Sequence, residues 1–254
     1  MAIVVEDSTE FSGQDVGNNQ NPITLTAPSG IQSGDLLYIM TMRDNSFNTN
    51  DSYRFSIPSG WSEHLYEFSS NQLVQIQTMY KVSDGTEGDV SIASSLDRDT
   101  VAWYLRISGV DASSPINVTG SFVDDRGSLT VPGVTTSSNN CMAILMFAYD
   151  GGDGDPFTIS GTGWPSSLPN DQYEEAQFNG VGTASGGWTT KSMGGSTSSG
   201  DAIITDNGEN DGIAGIQIAL TPSLLTGYSN IVSGVSVGSF SGISGSSISL
   251  ISGV

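Results

Sequence analysis

The sequence contains little positive charge, one cysteine and one histidine. Lys and Arg total 7 against 27 Asp and Glu, which gives a formal net charge of -20 over 254 residues. Proteins bind nucleic-acid phosphates and anionic membrane surfaces through clustered Lys and Arg, so this composition disfavours both partners. The single cysteine, Cys141, excludes a disulfide within the chain, and we interpret it as a small buried residue of an apolar run. Zinc sites need several His or Cys ligands, so a zinc site is excluded too.

Long apolar runs and catalytic motifs are also missing. No segment approaches the roughly 18 apolar residues of a membrane-spanning helix. Residues 1–6 have neither the basic part nor the long apolar part of a signal peptide, so we expect synthesis in a cytoplasm without secretion by the usual route. His64 is the only histidine, and no serine stands in a Gly-x-Ser-x-Gly elbow between a strand and a helix. We therefore expect that the protein is not an enzyme.

The sequence does contain many short runs in which apolar and polar residues alternate. Alternation with period two indicates β-strands that turn one face toward a core. The clearest runs cover residues 23–26, 35–42, 73–82, 101–107, 141–149 and 213–220, and weaker ones lie near 89–92, 128–131, 157–159 and 202–204. Turns rich in Gly, Pro, Asn and Asp separate them. This spacing predicts an all-β, antiparallel β-sandwich of the jelly-roll kind.

The same patterns select the side chains that should fill the core. Residues 141–149 are almost continuously apolar, which is typical of a central strand covered on both faces. We expect the following side chains to be buried between two sheets: Met40, Met42, Ile76, Tyr80, Trp103, Leu105, Leu145, Phe147 and Ile218.

The composition changes after Pro222. Residues 228–254 carry no charged side chain and consist mostly of Ile, Val, Ser and Gly. Alone in water, such a segment would be an unpaired and aggregation-prone edge. We therefore divide the chain into a β-sandwich domain, residues 1–222, and a Gly-, Ser- and Ile-rich β extension for assembly or attachment, residues 223–254. The residues expected to make the assembly contacts are Ile231, Val235, Phe240, Ile243, Ile248 and Ile251.

Two oxygen-rich loops are candidates for a metal ion. Asp150, Asp153 and Asp155 lie in one Gly-rich turn, and residues 206–211 form a second acidic loop. Ca²⁺ takes hard oxygen ligands on flexible loops, although neither loop follows the twelve-residue helix–loop–helix pattern. Calcium is therefore the one candidate cofactor, and solvated turns are the alternative.

Four aromatic residues fall in the stretch 161–190, where strand alternation is weak and the chain looks rich in loops. An exposed aromatic ring stacks on the apolar face of a sugar while nearby Asp and Asn bind its hydroxyl groups. The alternative is ordinary packing in a core or at a sheet edge. The candidate glycan-binding residues are Trp164, Tyr173, Phe178 and Trp188.

A set of short motifs occurs in a fixed order over about residues 20–222. The set consists of Gly30-Ile31-Gln32-Ser33-Gly34-Asp35-Leu36-Leu37, Pro58-Ser59-Gly60-Trp61, Tyr80-Lys81-Val82, Ser108-Gly109-Val110-Asp111 with Pro115-Ile116, Val134-Thr135-Thr136 and Gly215-Ile216-Gln217-Ile218-Ala219-Leu220. In this order it resembles a β-sandwich module of structural proteins from tailed bacteriophages and prophages, including exterior head and tail components. The C-terminal Ile-Ser-Gly-Val units are similar to terminal segments of phage appendage proteins. The resemblance carries no catalytic residues.

The resemblance implies a virion structural protein on the exterior of the particle, made in the host cytoplasm. It would decorate the capsid or form a fibre or adhesin, with other virion proteins and copies of itself as partners, for example in a trimer. The alternative is a carbohydrate-binding adhesion module, on a phage tail or a cell surface, whose ligand is a host surface glycan. A polysaccharide-degrading enzyme is a third hypothesis.

Overall fold

The computed structural model describes residues 2–13, 22–44, 54–70, 74–94, 99–151, 157–168, 172–178, 181–205, 212–223, 231–232 and 235–236. The chain divides into two compact units, Met1–Ser223 and Leu224–Val254. Within these described ranges the regular structure is β-sheet, and no α-helix is present. None of them contains a helix long and apolar enough to cross a membrane.

The first half of the larger unit forms two antiparallel sheets. Its strands are β1 (Val4–Gly13), β2 (Ile23–Leu25), β3 (Leu36–Asp44), β4 (Ser62–Phe68), β5 (Val74–Val82), β6 (Val90–Ile92) and β7 (Thr100–Ser108). Five of them form a large sheet in the order β1-β7-β3-β5-β4, and β2 pairs with β6 in a small sheet.

The second half forms another large and another small sheet. Its strands are β8 (Ile116–Thr119), β9 (Val123–Arg126), β10 (Ser128–Val131), β11 (Met142–Tyr149), β12 (Thr158–Ser160), β13 (Tyr173–Phe178), β14 (Val181–Ser192), β15 (Ala202–Thr205) and β16 (Gly212–Leu220). The large sheet has the order β13-β14-β11-β16-β8, with β9 also paired to β16, and the small sheet has the order β10-β15-β12.

The sheets stack in four layers around three apolar cores. The central core lies between the two large sheets and contains Met40, Trp103 and Ile218. One outer core lies under the β2–β6 sheet, and the other, with Leu145 and Phe147, lies under the β10-β15-β12 sheet. Every residue of β11 is buried because both of its faces are covered. The predicted antiparallel β-sandwich is confirmed, whereas its jelly-roll form stays a prediction.

The predicted core is confirmed for eight of its nine side chains, which are buried. Tyr80 is only partly buried and packs against the central core. Each of the ten predicted runs overlaps a strand of the structure. The sequence patterns did not predict β1, β4, β8, β9, β13 or β14.

The two halves of the larger unit repeat one strand order. The order β1-β7-β3-β5-β4 matches the order β8-β16-β11-β14-β13, and the pair β2-β6 matches the pair β10-β15. Equivalent hydrogen bonds support the match: the Ala27 N–H donates to Oδ1 of Asp89 at 2.9 Å, and the Gly133 N–H donates to Oδ1 of Asp201 at 3.0 Å. The sandwich is thus built from two similar halves that face each other.

The smaller unit contains two short strands, β17 (Ile231–Val232) and β18 (Val235–Ser236). They pair in an antiparallel manner, with Val232 opposite Val235. This places β-structure within the predicted β extension.

Candidate functional site

The two large sheets meet along two seams, where an edge strand of one sheet lies beside the other sheet. At one seam, β1 lies beside β13, and a cleft of about 470 Å³ opens between the sheets. We call this cleft the edge cleft. It is lined by residues 3–8 together with Met142, Gln172, Trp188 and Thr190.

Two polar atoms of the edge cleft have no hydrogen-bond partner in the described part of the chain. They are the indole Nε1 of Trp188 and the amide Oε1 of Gln172, and both are shielded from solvent. The Trp188 side chain is only 2% exposed. A buried donor or acceptor without a partner costs about 1–3 kcal/mol, so the cleft holds two groups that destabilise the folded protein as it stands.

The two carboxylates of the cleft are engaged with neighbouring residues. Oε1 of Glu6 accepts a hydrogen bond from the Ser108 hydroxyl at 2.6 Å. Oδ2 of Asp7 accepts from both the hydroxyl and the backbone N–H of Ser29, each at 2.6 Å. The hydrogen bond from the Ser29 hydroxyl is the main cause that lowers the pKa of Asp7. Both carboxylates are therefore held by residues that do not line the cleft.

The opposite seam, where β4 meets β8, is closed by His64. Its Nδ1 lies 2.8 Å from the Tyr38 hydroxyl, and its Nε2 lies 2.8 Å from Oγ1 of Thr119. The Tyr38 hydroxyl also contacts Oγ1 of Thr78 at 3.0 Å. Burial lowers the pKa of His64 to about 4 from its ordinary 6.5. The only histidine thus links the two large sheets through an uncharged hydrogen-bond chain.

The strand registers show that the two seams are equivalent positions of the repeat. Trp188 on β14 lies opposite Met146 on β11, and Thr78 on β5 lies opposite Met40 on β3, so Trp188 and Thr78 occupy equivalent positions. Ser8 on β1 lies opposite Leu105. Thr119 on β8 lies opposite Ile218 on β16, which is the residue equivalent to Leu105, so Ser8 and Thr119 also occupy equivalent positions. One seam is therefore sealed by a complete hydrogen-bond chain, and its counterpart is open with two unsatisfied groups.

A smaller recess of about 360 Å³ adjoins the edge cleft and shares Ile3 and Met142 with it. Cys141 lines this recess and is 2% exposed, so the expectation of a buried cysteine is confirmed. Burial raises the pKa of its thiol. A thiol with a raised pKa carries little thiolate at neutral pH and is a poor nucleophile.

Trp164 and Trp188 are buried, at 7% and 2% exposed, as the alternative of ordinary packing expects, and their role in glycan binding stays a prediction. Much of the stretch 161–190 forms the long strands β13 and β14 instead of loops. Tyr173 is partly buried and packs on the outer core under the β10-β15-β12 sheet. Its ring centroid lies 5.7 Å from that of Phe157. Phe178 ends β13, and its side chain is not among those described.

The calcium prediction stays untested. Asp150 directly follows β11, and its N–H donates to the Gly212 carbonyl at 2.8 Å. Asp153, Asp155 and residues 206–211 lie outside the described residues. In the parts of the chain that the structure does describe, no group of three or more His, Cys, Asp or Glu side chains is placed to hold a metal ion.

The assembly prediction also stays a prediction. Ile231 and Val235 lie in β17 and β18, and no contact of their side chains is described. The other predicted assembly residues lie outside the described ranges: Phe240, Ile243, Ile248 and Ile251.

Sequence analysis found only one residue of the edge cleft, Trp188, and for a different reason. Gln172, Thr190 and the residues of β1 were missed because the cleft brings together strands that are more than 160 residues apart and belong to different sheets. A signal was present in the repeated Gly-Asp-Val-Ser-Ile of residues 88–92 and Gly-Asp-Ala-Ile-Ile of residues 200–204. This repeat reveals two similar halves, and hence two seams to compare.

The fold and the cleft define an antiparallel β-sandwich protein built from two similar halves, with one sealed and one open seam. Comparison with models of known protein families, with curated proteins and with solved structures finds no match to this chain. The resemblance to tailed-phage structural proteins therefore stays a prediction.

Proposed function

We propose that this chain is a non-enzymatic structural protein of a tailed-phage virion, located on the exterior of the particle. It decorates the capsid or forms part of a fibre or adhesin. The observation that carries the proposal is the distribution of charge. All 27 acidic and 7 basic residues precede Tyr228, and residues 228–254 carry none.

The uncharged segment needs a protein partner. Its backbone donors and its Ile and Val side chains cannot all be satisfied by a lone strand in water. Pairing with the same segment of other copies, for example around a threefold axis, would satisfy both. The acidic remainder of each copy would repel its neighbours and limit contacts elsewhere. This combination suits a protein attached at one end to a larger assembly.

The proposal is tested by quantitative mass spectrometry of purified particles of the phage that encodes the chain. We expect many copies in each particle, and we expect antibodies against the sandwich to bind intact particles. Absence of the chain from purified particles would contradict the proposal.

A second candidate function is a carbohydrate-binding adhesion module, and the edge cleft is the observation that favours it. A surface cleft of about 470 Å³ that contains a few polar groups is typical of small-molecule sites. The test is binding of the full chain to a glycan array together with an assay for released sugars. Binding without release supports an adhesion module, whereas release of sugars indicates a polysaccharide-degrading enzyme.

A further inference from the structure

We infer that the edge cleft binds one neutral saccharide residue, with the indole N–H of Trp188 and the amide oxygen of Gln172 as its polar contacts. The inference rests on the second candidate function and names the site and the ligand class for it. It starts from the comparison of the two seams. Thr78, which occupies the position equivalent to Trp188, accepts a hydrogen bond from the Tyr38 hydroxyl at 3.0 Å, whereas Nε1 of Trp188 has no partner.

The two unsatisfied atoms define the chemistry of the ligand. Trp188 offers a hydrogen-bond donor, and Gln172 offers an acceptor. A metal cation could use the acceptor and would leave the donor unmatched, whereas an anion could use the donor and would leave the acceptor unmatched. A hydroxyl group both donates and accepts. A neutral ligand that carries several hydroxyl groups therefore satisfies both atoms.

The remaining walls favour a sugar ring over a small alcohol. The apolar side chains of Ile3, Val5 and Met142 line the cleft, and Val5 is only partly buried. Ser8 and Thr190 add hydroxyl groups. An apolar wall beside polar groups matches a pyranose ring, which has an apolar face and a rim of hydroxyls. The volume of about 470 Å³ lies within the range of about 300–1,000 Å³ that small-molecule sites show.

Binding would include a small widening of the seam, since both polar atoms are shielded from solvent. β1 is suited to this movement because it is an edge strand, paired on one side only with β7. Its register with β7 shifts between Val5 and Asp7, within the segment that lines the cleft. Hydrogen bonds formed in such a shielded place are stronger than those formed in water.

The test uses the full chain labelled with 5-fluorotryptophan, whose four tryptophans give separate fluorine NMR signals. Trp188→Phe identifies the Trp188 signal, and the three other signals report whether this variant is folded. The probes are D-glucose, D-galactose, D-mannose and N-acetyl-D-glucosamine, with glycerol as the control molecule. We expect a saturable shift of the Trp188 signal with at least one sugar and no shift with glycerol.

Two variants separate the site from the rest of the protein. Gln172→Leu should weaken binding roughly fivefold, the equivalent of one neutral hydrogen bond. Trp164→Phe should bind sugar with the affinity of the unchanged protein, because Trp164 is buried in the outer core under the β10-β15-β12 sheet, away from the cleft.

Two results overturn the site but not the carbohydrate-binding function. One is saturable sugar binding that does not shift the Trp188 signal, and the other is sugar binding that keeps its full affinity in Gln172→Leu. A Trp188 shift caused equally by glycerol overturns the assignment to a saccharide. Absence of a response to every sugar, together with a negative glycan array, overturns the site and the carbohydrate-binding function together. None of these results bears on the virion proposal, which particle composition tests.

Discussion

At the scale of single residues, His64 is the clearest case of a polar group used for stability. It sits in a hydrogen-bond chain that runs from the buried Tyr38 to the exposed Thr119, and it adds edge-to-face ring contacts to Tyr38 and Tyr80. Burial disfavours its charged form, so its pKa falls to about 4. The folded protein therefore binds a proton at this residue less readily than the unfolded chain does.

This difference predicts a loss of stability in mild acid. As pH falls from about 6.5 towards about 4, the unfolded chain binds a proton at His64 and the folded protein does not. The free energy of unfolding should fall by at most about 3 kcal/mol over this window from His64 alone. Urea unfolding of the unchanged protein and of His64→Gln at several pH values measures it. Parallel pH profiles for the two proteins would contradict the assignment, because the carboxylates are common to both.

A second residue-scale prediction concerns the turns that precede β3 and β11. Gly34 has φ +92°, and a Cβ added there would meet no atom within 4 Å, so Gly34→Ala should cost about 1–2 kcal/mol from backbone conformation alone. Its counterpart in the repeat is Asn140, with φ 57°, a residue type that tolerates this region. Asn140→Gly is the matched change and should leave the free energy of unfolding nearly constant. Thermal unfolding of both variants tests the pair, and equal losses would argue against the equivalence.

At the scale of elements, Gln217 attaches the small sheet of the second half to the large one. Its side chain is fully buried on β16. Nε2 donates to the carbonyls of Val131 and Gly200, each at 3.1 Å, and Oε1 accepts from the Ser199 hydroxyl at 2.5 Å. One amide thus satisfies two backbone carbonyls and a hydroxyl between the layers.

Gln217→Leu should therefore destabilise the protein by about 1–3 kcal/mol, because it leaves buried acceptors without donors. Amide hydrogen exchange should increase first in β10 and β15. The control is Ile203→Thr on β15, whose side chain is 39% exposed and whose substitution should change stability by less than about 0.5 kcal/mol. A Gln217→Leu variant as stable as the control would refute this role.

The elements also show what sequence patterns could and could not predict. The run 141–149 predicted a fully covered strand, and β11 is one, because its composition directly reflects burial on both faces. The strand β14 was missed because its glycines resemble those of loops. A Cβ at Gly186 would lie 2.2 Å from Sδ of Met42 in the facing sheet, so this glycine serves the close approach of two sheets. Sequence alone does not distinguish that use from a turn.

At the scale of the whole molecule, the sequence divides into an acidic sandwich and an uncharged C-terminal segment. The larger compact unit ends at Ser223, and the described residues of the three apolar cores all lie within it. We therefore expect deletion of residues 228–254 to leave a folded protein. Tryptophan fluorescence and thermal unfolding check this expectation, and loss of cooperative unfolding would contradict it.

The measurement that tests the central proposal most directly is light scattering on the full chain and on the chain without residues 228–254. If the uncharged segment joins copies or attaches them to a particle, the full chain should form an oligomer and the shortened chain should be a folded monomer. The shortened chain should also fail to join particles in an incorporation assay. The same number of subunits in both proteins, together with unchanged incorporation of the shortened chain into particles, would contradict an assembly role for the segment. It would also contradict the proposed structural function.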